Sequence, residues 1–211
     1  MAIIVLGDSN SQGFFDHEKG GWVERLKQHM FKENGSFVFN LGVSGFTSNS
    51  IIELINRGEL DSRIEADDED VIIIVAIGTN DSSLIGNEKN FVSNIKFMSN
   101  IAEIYRILKE KYTKTWKEDQ RNDFDIMFIG PPNVDESRSN PVSWDERLCY
   151  NNEQIGKYSQ FIKDFCDPTA TRFLNLFEKF KFETSDGVHL LPSEHEQIFQ
   201  EVLKAVNSIY D

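Results

Sequence analysis

The chain has 211 residues, of which 22 are Lys or Arg and 35 are Asp or Glu, so its formal net charge is −13. Its length favours a single domain over residues 1–211, and 39 % hydrophobic with 27 % charged residues excludes a disordered chain. The acidity excludes the basic surface that non-specific binding to nucleic acid or to an anionic membrane requires, so we expect neither partner.

The N-terminal apolar segment is too short for a targeting signal. It spans only residues 2–6 and no basic region precedes it, whereas a secretory signal has a basic region and a longer apolar core. No apolar run approaches the roughly 20 residues of a membrane span. We therefore expect a cytoplasmic protein without a stable membrane association.

Five short apolar runs alternate along the chain with longer stretches of helical periodicity. The runs are Ala2–Leu6, Phe37–Leu41, Val71–Ile77, Asp125–Ile129 and Arg172–Leu176. Nearly continuous, β-branched runs of this kind are typical of strands that are covered on both faces. The pattern predicts an α/β fold in which a five-stranded parallel sheet lies between two helical layers.

Four apolar stripes with helical spacing are predicted to face the core. They are Trp22, Leu26 and Met30; Phe91, Ile95, Met98, Ala102, Tyr105 and Leu108; Ile155, Tyr158, Ile162 and Phe165; and Ile198, Val202, Val206 and Ile209. Cys149 and Cys166 fall in segments of predicted helix. We expect both to be buried free thiols, because two cysteines without a CxxC pair make neither a disulfide framework nor a zinc site.

Open parallel sheets bind ligands at the carboxyl ends of their strands. The segments predicted to lie there are Gly7–Gly13, Gly42–Gly45, Gly78–Asp81 and Gly130–Asn133, with Ser185–His189 in a later loop. The segment Pro131–Trp144, rich in Pro, Asn, Ser and Asp, leaves the fourth strand at this edge. It is either a lid or specificity loop or a solvated connection.

Ser9 is the candidate nucleophile, because it follows the first strand by two residues and its hydroxyl would face the crevice. Such a serine needs a histidine base and an orienting carboxylate. His189 follows Asp186 by three residues, so one turn can bring the carboxylate to Nδ1, with Gly187 relieving backbone strain. Alternatively, Ser9 or Ser11 caps the first helix, or the loop that carries them binds a phosphate. For Asp186, the alternative is that its carboxylate caps the last helix.

The remaining histidines are predicted to lie on the surface. His17 and His29 fall in or beside the first helix, and His195 lies on a solvated face of the last helix. A metal site of Asp186, His189 and His195 is a further alternative, but its spacing matches no zinc pattern. We therefore expect no metal.

Acyl transfer also needs hydrogen-bond donors that face the developing oxyanion. Gly42 directly follows the second strand, and its N–H can approach a bound carbonyl. Asn80 follows the third strand and can donate through its side-chain amide, and the N–H of Ser9 is the third candidate. The alternatives are simple turn geometry for Gly42 and an Asx-type turn for Asn80.

In chain order, these blocks resemble the SGNH hydrolases, also called GDSL-type esterases or lipases. The matching segments are Gly7-Asp8-Ser9-Asn10-Ser11, Gly42, Gly78-Thr79-Asn80-Asp81 and Asp186-Gly187-Val188-His189. The chain departs from the family pattern at Asn10, where the GDSL motif has leucine. It departs again after His189, because Leu190 and Leu191 precede Pro192, whereas the family commonly has proline directly after the histidine.

The resemblance implies a flavodoxin-like three-layer α/β/α fold and cofactor-independent hydrolysis of a small-molecule ester. It implies that Ser9 is the nucleophile, His189 the base and Asp186 its orienting partner. It also assigns the oxyanion hole to Ser9, Gly42 and Asn80, while Asp8 supports the nucleophile loop.

The substrate class is predicted from aromatic and polar residues near the strand ends. Phe14 and Phe15 would either wall an acyl pocket or lie buried under the first helix, and Asn10 and Ser82 are further candidates for substrate contact. The polar segments Ser82–Asn87 and Asn133–Asn140 favour a short, acetyl-like acyl group on a small polar or carbohydrate alcohol. The alternatives are a lysophospholipase or thioesterase for longer chains, and a non-catalytic module that binds phosphate or another ligand at Gly7–Gly13, a segment without Lys or Arg.

Overall fold

The computed structural model describes residues 1–64, 70–86, 88–112 and 123–209. Asn87, the end of one polar segment named above, lies outside these residues. The strands are β1 Ala2–Gly7, β2 Phe37–Gly42, β3 Asp70–Ala76, β4 Leu84–Ile85, β5 Lys89–Asn90, β6 Asp123–Ile129, β7 Leu148–Cys149 and β8 Arg172–Leu174. The helices are α1 Ser9–Gln12, α2 Gly21–Asn34, α3 Ser48–Asn56, α4 Thr79–Ser82, α5 Asn94–Tyr112, α6 Glu136–Ser139, α7 Asn152–Thr169, α8 Leu176–Lys179 and α9 Pro192–Asn207, with a 3₁₀ turn at Asp61–Arg63.

The five predicted strands form one parallel sheet in the order β2-β1-β3-β6-β8. Helices α3, α5 and α7 cover one face of this sheet, and α2 and α9 cover the other. The predicted three-layer α/β/α architecture is confirmed. The fifth strand is shorter than its apolar run, because Leu176 begins helix α8.

Burial on both faces explains why the strands are continuously apolar. All six residues of β1 are buried. Ile4 and Leu6 face the layer of α3, α5 and α7, whereas Ile3 and Val5 face α2 and α9. Because neighbouring side chains on a strand point to opposite faces, each of these positions contacts one of the two apolar helical layers.

The stripe predicted for helix α5 is wrong from Phe91 to Ala102, which is also exposed. Phe91, Ile95 and Met98 are exposed, with Ile95 at 83 %, and the buried face instead includes Phe97 and Ile101. The segment has apolar residues on two faces with the same helical spacing, so periodicity alone cannot select one. Packing against α3 and α7 selects the face that contains Phe97.

The topology leaves a crevice beside the carboxyl ends of β1 and β3. These strands are neighbours in the sheet. The long helix that follows β1 is α2 and the long helix that follows β3 is α5, and these two helices lie on opposite faces of the sheet. Doubly wound sheets bind ligands at such a switch point. The residues that follow β1 and β3, including Ser9 and Asn80, therefore meet at one edge of the sheet.

A small antiparallel sheet of order β5-β4-β7 closes this edge on the side of α4. Cys149 lies in its strand β7 rather than in the predicted helix, while Cys166 lies in α7. Both are buried free thiols, as expected. Among the described residues, no helix combines the length and apolar character needed to cross a bilayer.

Candidate active site

Ser9 is the first residue of the short helix α1, directly after β1. The cap of this helix is Asp8, whose Oδ1 accepts the N–H of Asn10 at 2.9 Å, so neither Ser9 nor Ser11 caps it. An N–H at the first helical position has no acceptor within its own helix. The N–H and the hydroxyl of Ser9 are therefore both presented at the end of the strand.

The loop that precedes α9 brings Asp186 and His189 to Ser9. His189 Nε2 lies 3.0 Å from Ser9 Oγ, and His189 Nδ1 lies 2.7 Å from Asp186 Oδ2. Asp186 Oδ1 also accepts the N–H groups of Val188 at 3.0 Å and His189 at 2.8 Å. Burial would raise the pKa of Asp186, but hydrogen bonds from the His189 backbone and ring and from Val188 hold it below its usual value.

Gly187 allows this loop to form. Its φ is +104°, and a Cβ at this position would lie 2.7 Å from the backbone carbon of Arg138. Its carbonyl accepts the N–H of Asp135 at 2.9 Å. Only glycine combines that conformation with so close an approach to a second chain segment.

The Pro131–Trp144 segment packs against the Asp186–His189 loop and is not simply a solvated connection. Its residues Val134 and Val142 form a small apolar cluster with Val188, Tyr150 and Ile155. The Arg138 guanidinium donates to the carbonyls of Thr184 and Ser185 in the same loop. The segment therefore supports the loop that holds His189.

Asn80 lies on α4, after β3, and both ends of its amide are engaged. Its Nδ2 donates to the carbonyl of Phe46 at 2.9 Å, and its Oδ1 accepts the hydroxyl of Tyr150 at 3.0 Å. One N–H of Nδ2 is left for another acceptor. Sequence reasoning did not predict Tyr150, because 70 residues separate it from Asn80 and no spacing connects them.

The N–H of Gly42, predicted to be an oxyanion donor, is already hydrogen-bonded within the protein. Its N–H donates to Asn40 Oδ1 at 3.0 Å, and Asn40 Nδ2 donates to the carbonyl of Ser11 at 2.9 Å. A Cβ on Gly42 would lie 2.7 Å from the N atom of Gln12. Glycine is therefore needed here for β2 to approach α1, and its N–H already has an acceptor within the protein.

The other predicted substrate residues differ in their exposure. Phe14 and Phe15 are not buried under a helix, and both rings lie against His189. Asn10 is buried; its Oδ1 accepts the N–H of Leu190 at 3.4 Å, and it lines a small cavity of about 20 Å³. Ser82 is buried as well, and its hydroxyl donates to the Thr79 carbonyl at 2.8 Å. The structure leaves Phe14 and Phe15, rather than Asn10 and Ser82, open to solvent beside His189.

Two buried carboxylates support the strand ends. Burial raises the pKa of Asp8, although the backbone N–H of Asn10 opposes the shift. Asp81 accepts the N–H of Ser48 at 3.0 Å and its hydroxyl at 2.5 Å, which ties α4 to the start of α3. Burial raises the pKa of Asp81 to about 6. These carboxylates fix the loops that carry Ser9 and Asn80.

The sequence profile of the GDSL-like lipase/acylhydrolase family matches residues 5–195. The chain belongs to this family. The resemblance drawn from the sequence blocks is thus confirmed, and the protein is a hydrolase that acts on ester bonds. No curated protein sequence gives a significant match.

Solved structures share the fold of this acylhydrolase over nearly its whole length. A lipase/acylhydrolase from Enterococcus faecalis is 20 % identical with a TM-score of 0.70, and the match covers 98 % of this chain and 95 % of that one. The aryl esterase of M. smegmatis is 15 % identical with a TM-score of 0.72 and 98 % coverage of both chains. A carbohydrate acetylesterase from Sinorhizobium meliloti is 14 % identical with a TM-score of 0.71 and 99 % coverage of both. At these identities the likeness establishes the fold.

His195 of the acylhydrolase was expected on a solvated face, and this expectation is wrong. Its side chain is 0 % exposed because α9 packs on α2. Arg25 on α2 joins the two helices, donating to Glu196 Oε2 at 3.0 Å and to the carbonyl of Pro192 at 3.2 Å. The sequence marks His195 as polar, but only the helix packing shows that it is enclosed. Among the described residues, no group of three or more His, Cys, Asp or Glu side chains is placed to hold a metal ion.

The buried His195 predicts a specific loss of stability in acid. Burial lowers the pKa of His195 from 6.5 to about 4, so the folded state binds fewer protons than the unfolded chain between these values. The contribution of His195 to the free energy of unfolding is therefore fully present above pH 6.5. About 3 kcal/mol of it is lost as the pH falls towards 4. His195→Gln removes this titration. The difference in unfolding free energy between wild type and His195→Gln should shrink by about that amount from pH 7 to pH 4 in urea titrations.

The control for this experiment is His17→Gln, because His17 is exposed. This variant should follow wild type at every pH. Asp81 contributes with the opposite sign over nearly the same range, since a raised carboxyl pKa weakens the folded state as the pH rises. Asp81 is present in all three proteins, so its effect cancels in the differences. A constant difference between wild type and His195→Gln across this range would contradict the prediction.

Proposed function

We propose that the protein is a serine esterase that hydrolyses carboxylic esters through an acyl-enzyme on Ser9. The observation that carries this proposal is the continuous series of contacts from Asp186 through His189 to Ser9, at 2.7 Å and 3.0 Å. We treat residues 1–211 as one hydrolase domain, because the residues of the site come from both ends of the chain and from the middle.

His189 acts as the base and then as the acid. Its Nε2 takes the proton of the Ser9 hydroxyl while Oγ attacks the ester carbonyl carbon, and the protonated ring then gives that proton to the leaving alcohol. The Nδ1–H of His189 donates its hydrogen bond to Asp186, so Nε2 carries no proton and can accept the one from Ser9. In the second half, His189 deprotonates a water molecule that attacks the acyl carbon, and Ser9 leaves with its proton restored.

The oxyanion is proposed to rest on the N–H of Ser9 and on Nδ2 of Asn80. Phe46 and Tyr150 hold the Asn80 amide in one orientation, so that Nδ2 rather than Oδ1 faces the proposed oxyanion. Gly42, proposed as the third donor, can join only if its bond to Asn40 is shared with the oxyanion or exchanged for it.

For the substrate, we propose a short, acetyl-like acyl group on a small polar or carbohydrate alcohol. The polar segments at the strand ends support this, as does the shared fold with a carbohydrate acetylesterase. A lysophospholipase or thioesterase with longer acyl substrates is the alternative within the same chemistry.

A series of p-nitrophenyl esters from C2 to C12 tests the acyl preference. We expect kcat/KM to be highest at C2 to C4 and to fall steadily beyond C6, measured below the solubility limit of each ester. The Ser9→Ala variant, purified in parallel, serves as the blank for contaminating esterases. A maximum at C8 or longer would favour the long-chain alternative.

A further inference from the structure

Three aromatic side chains surround the His189 ring. The ring centroids of Phe14, Phe15 and Trp144 lie 4.6, 5.6 and 5.7 Å from that of His189. Phe14 and Phe15 follow α1, whereas Trp144 comes from the segment that supports the Asp186–His189 loop. Two distant parts of the chain thus converge on the His189 ring.

These side chains remain open to solvent. Phe14 is 40 % exposed, Phe15 is 38 % exposed and Trp144 is 49 % exposed. Phe14 and Phe15 also contact each other edge to face, with centroids 4.8 Å apart. Aromatic rings gain most when they are buried, so a cluster left open beside a reactive histidine is suited to cover a ligand.

The backbone that carries Phe15 is strained. Its φ is +66°, a left-handed conformation that is rare for a bulky side chain. Such conformations persist where the surrounding structure over-determines them, and they concentrate at binding and catalytic sites. In this conformation the Phe15 ring lies beside His189.

The chemistry of the proposed mechanism identifies the part of the ester that these rings face. The leaving oxygen receives its proton from His189 Nε2, so the group attached to that oxygen must lie beside the imidazole ring. The acyl carbon is bonded to Ser9 Oγ and its oxygen points to the donors at Ser9 and Asn80. Rings that contact His189 are therefore placed to border the alcohol. This differs from both alternatives predicted for Phe14 and Phe15, which were an acyl pocket and burial under the first helix.

We propose that Phe14, Phe15 and Trp144, here called the aromatic rim, form a leaving-group subsite for alcohols that carry a ring able to stack on aromatic side chains. Two sources share this chemistry, an aryl group and the apolar face of a sugar ring, since both stack on aromatic side chains. This inference rests on the proposed esterase function, and it narrows the substrate to esters of ring-bearing alcohols.

The test compares acetates whose alcohols are matched in reactivity. Benzyl acetate and cyclohexylmethyl acetate both release a primary alcohol of similar size and basicity, but only the first has a flat aromatic face. We expect wild type to prefer benzyl acetate by about 3- to 10-fold in kcat/KM, the range of an added aromatic contact. Trp144→Ala should reduce this preference to about 1, because kcat/KM falls more for benzyl acetate than for ethyl acetate, and Trp144→Phe should retain part of it.

An acetylated methyl pyranoside provides the second arm and distinguishes the two sources. A Trp144→Ala loss confined to benzyl acetate assigns the rim to aryl alcohols, and a loss confined to the pyranoside assigns it to sugars. Ile95→Ala is the control variant, because Ile95 is an exposed apolar residue on α5 outside the rim.

Two results would overturn the aromatic rim as a subsite. One is an unchanged kcat/KM for both benzyl acetate and the acetylated pyranoside in Trp144→Ala; the other is an equal loss for ethyl acetate, which would make Trp144 a support for His189. Labelling by a fluorophosphonate probe separates these from failure of the proposed function. A protein that is labelled at Ser9 but shows no ring preference contradicts only the rim, whereas an unlabelled, inactive protein contradicts both.

Discussion

Replacing Ser9 with alanine should lower kcat for a short p-nitrophenyl ester by roughly 10⁵- to 10⁶-fold, the cost of removing the nucleophile from a comparable serine hydrolase. The reason is that the acyl-enzyme cannot form, while His189 and the oxyanion donors remain in place. Those donors still support a residual rate above that of water. Initial rates at saturating ester measure the loss, and labelling by a fluorophosphonate should disappear with it.

Ser44→Ala is the matched control. Ser44 is an exposed serine in the loop after β2, and its backbone N–H, which the substitution retains, donates to Gln12 Oε1 at 2.9 Å. Ser44→Ala should keep the wild-type rate and labelling. Full hydrolysis by clean Ser9→Ala would contradict the proposed mechanism. It would favour the alternative in which Gly7–Gly13 binds a phosphate or another ligand without activating a serine.

Replacing Asp186 with asparagine should lower kcat by roughly 10⁴-fold with little change in KM, as the same change does in a serine protease triad. The asparagine oxygen can still accept the N–H groups of Val188 and His189, so the loop keeps its conformation. Its Nδ2 would then donate to His189 Nδ1. The ring proton would move to Nε2, where it blocks acceptance of the Ser9 proton.

The control is Asp135→Asn in the segment that packs against the same loop. Asp135 caps α6 through its side chain, and asparagine caps a helix about as well. Asp135→Asn should therefore retain activity and thermal stability. A loss below tenfold in Asp186→Asn, with an unchanged melting temperature in both variants, would show that orientation of His189 does not depend on this carboxylate.

The core of the fold was predictable because burial on both faces of a parallel sheet leaves a direct mark on composition. The buried strand β1 and the buried interior of β3 are runs of Ile, Val and Leu, and their order along the chain with the intervening helices implies the three layers. The face of α5 was not predictable in the same way. Two apolar stripes satisfy the helical period, and only the neighbouring helices α3 and α7 decide which one is covered.

The features that depend on local chemistry were predictable from the order of the residues. The strand runs, the position of Ser9 after β1 and the three-residue spacing of Asp186 and His189 depend on periodicity and short backbone reach, which neighbouring residues set. Contacts between distant groups depend instead on the folded arrangement of the chain. It enclosed His195 between α9 and α2, bonded Tyr150 to Asn80 and directed the Gly42 N–H to Asn40. It also set Trp144 against His189. These contacts depend on how separate segments pack in three dimensions, and no spacing along the chain encodes that packing.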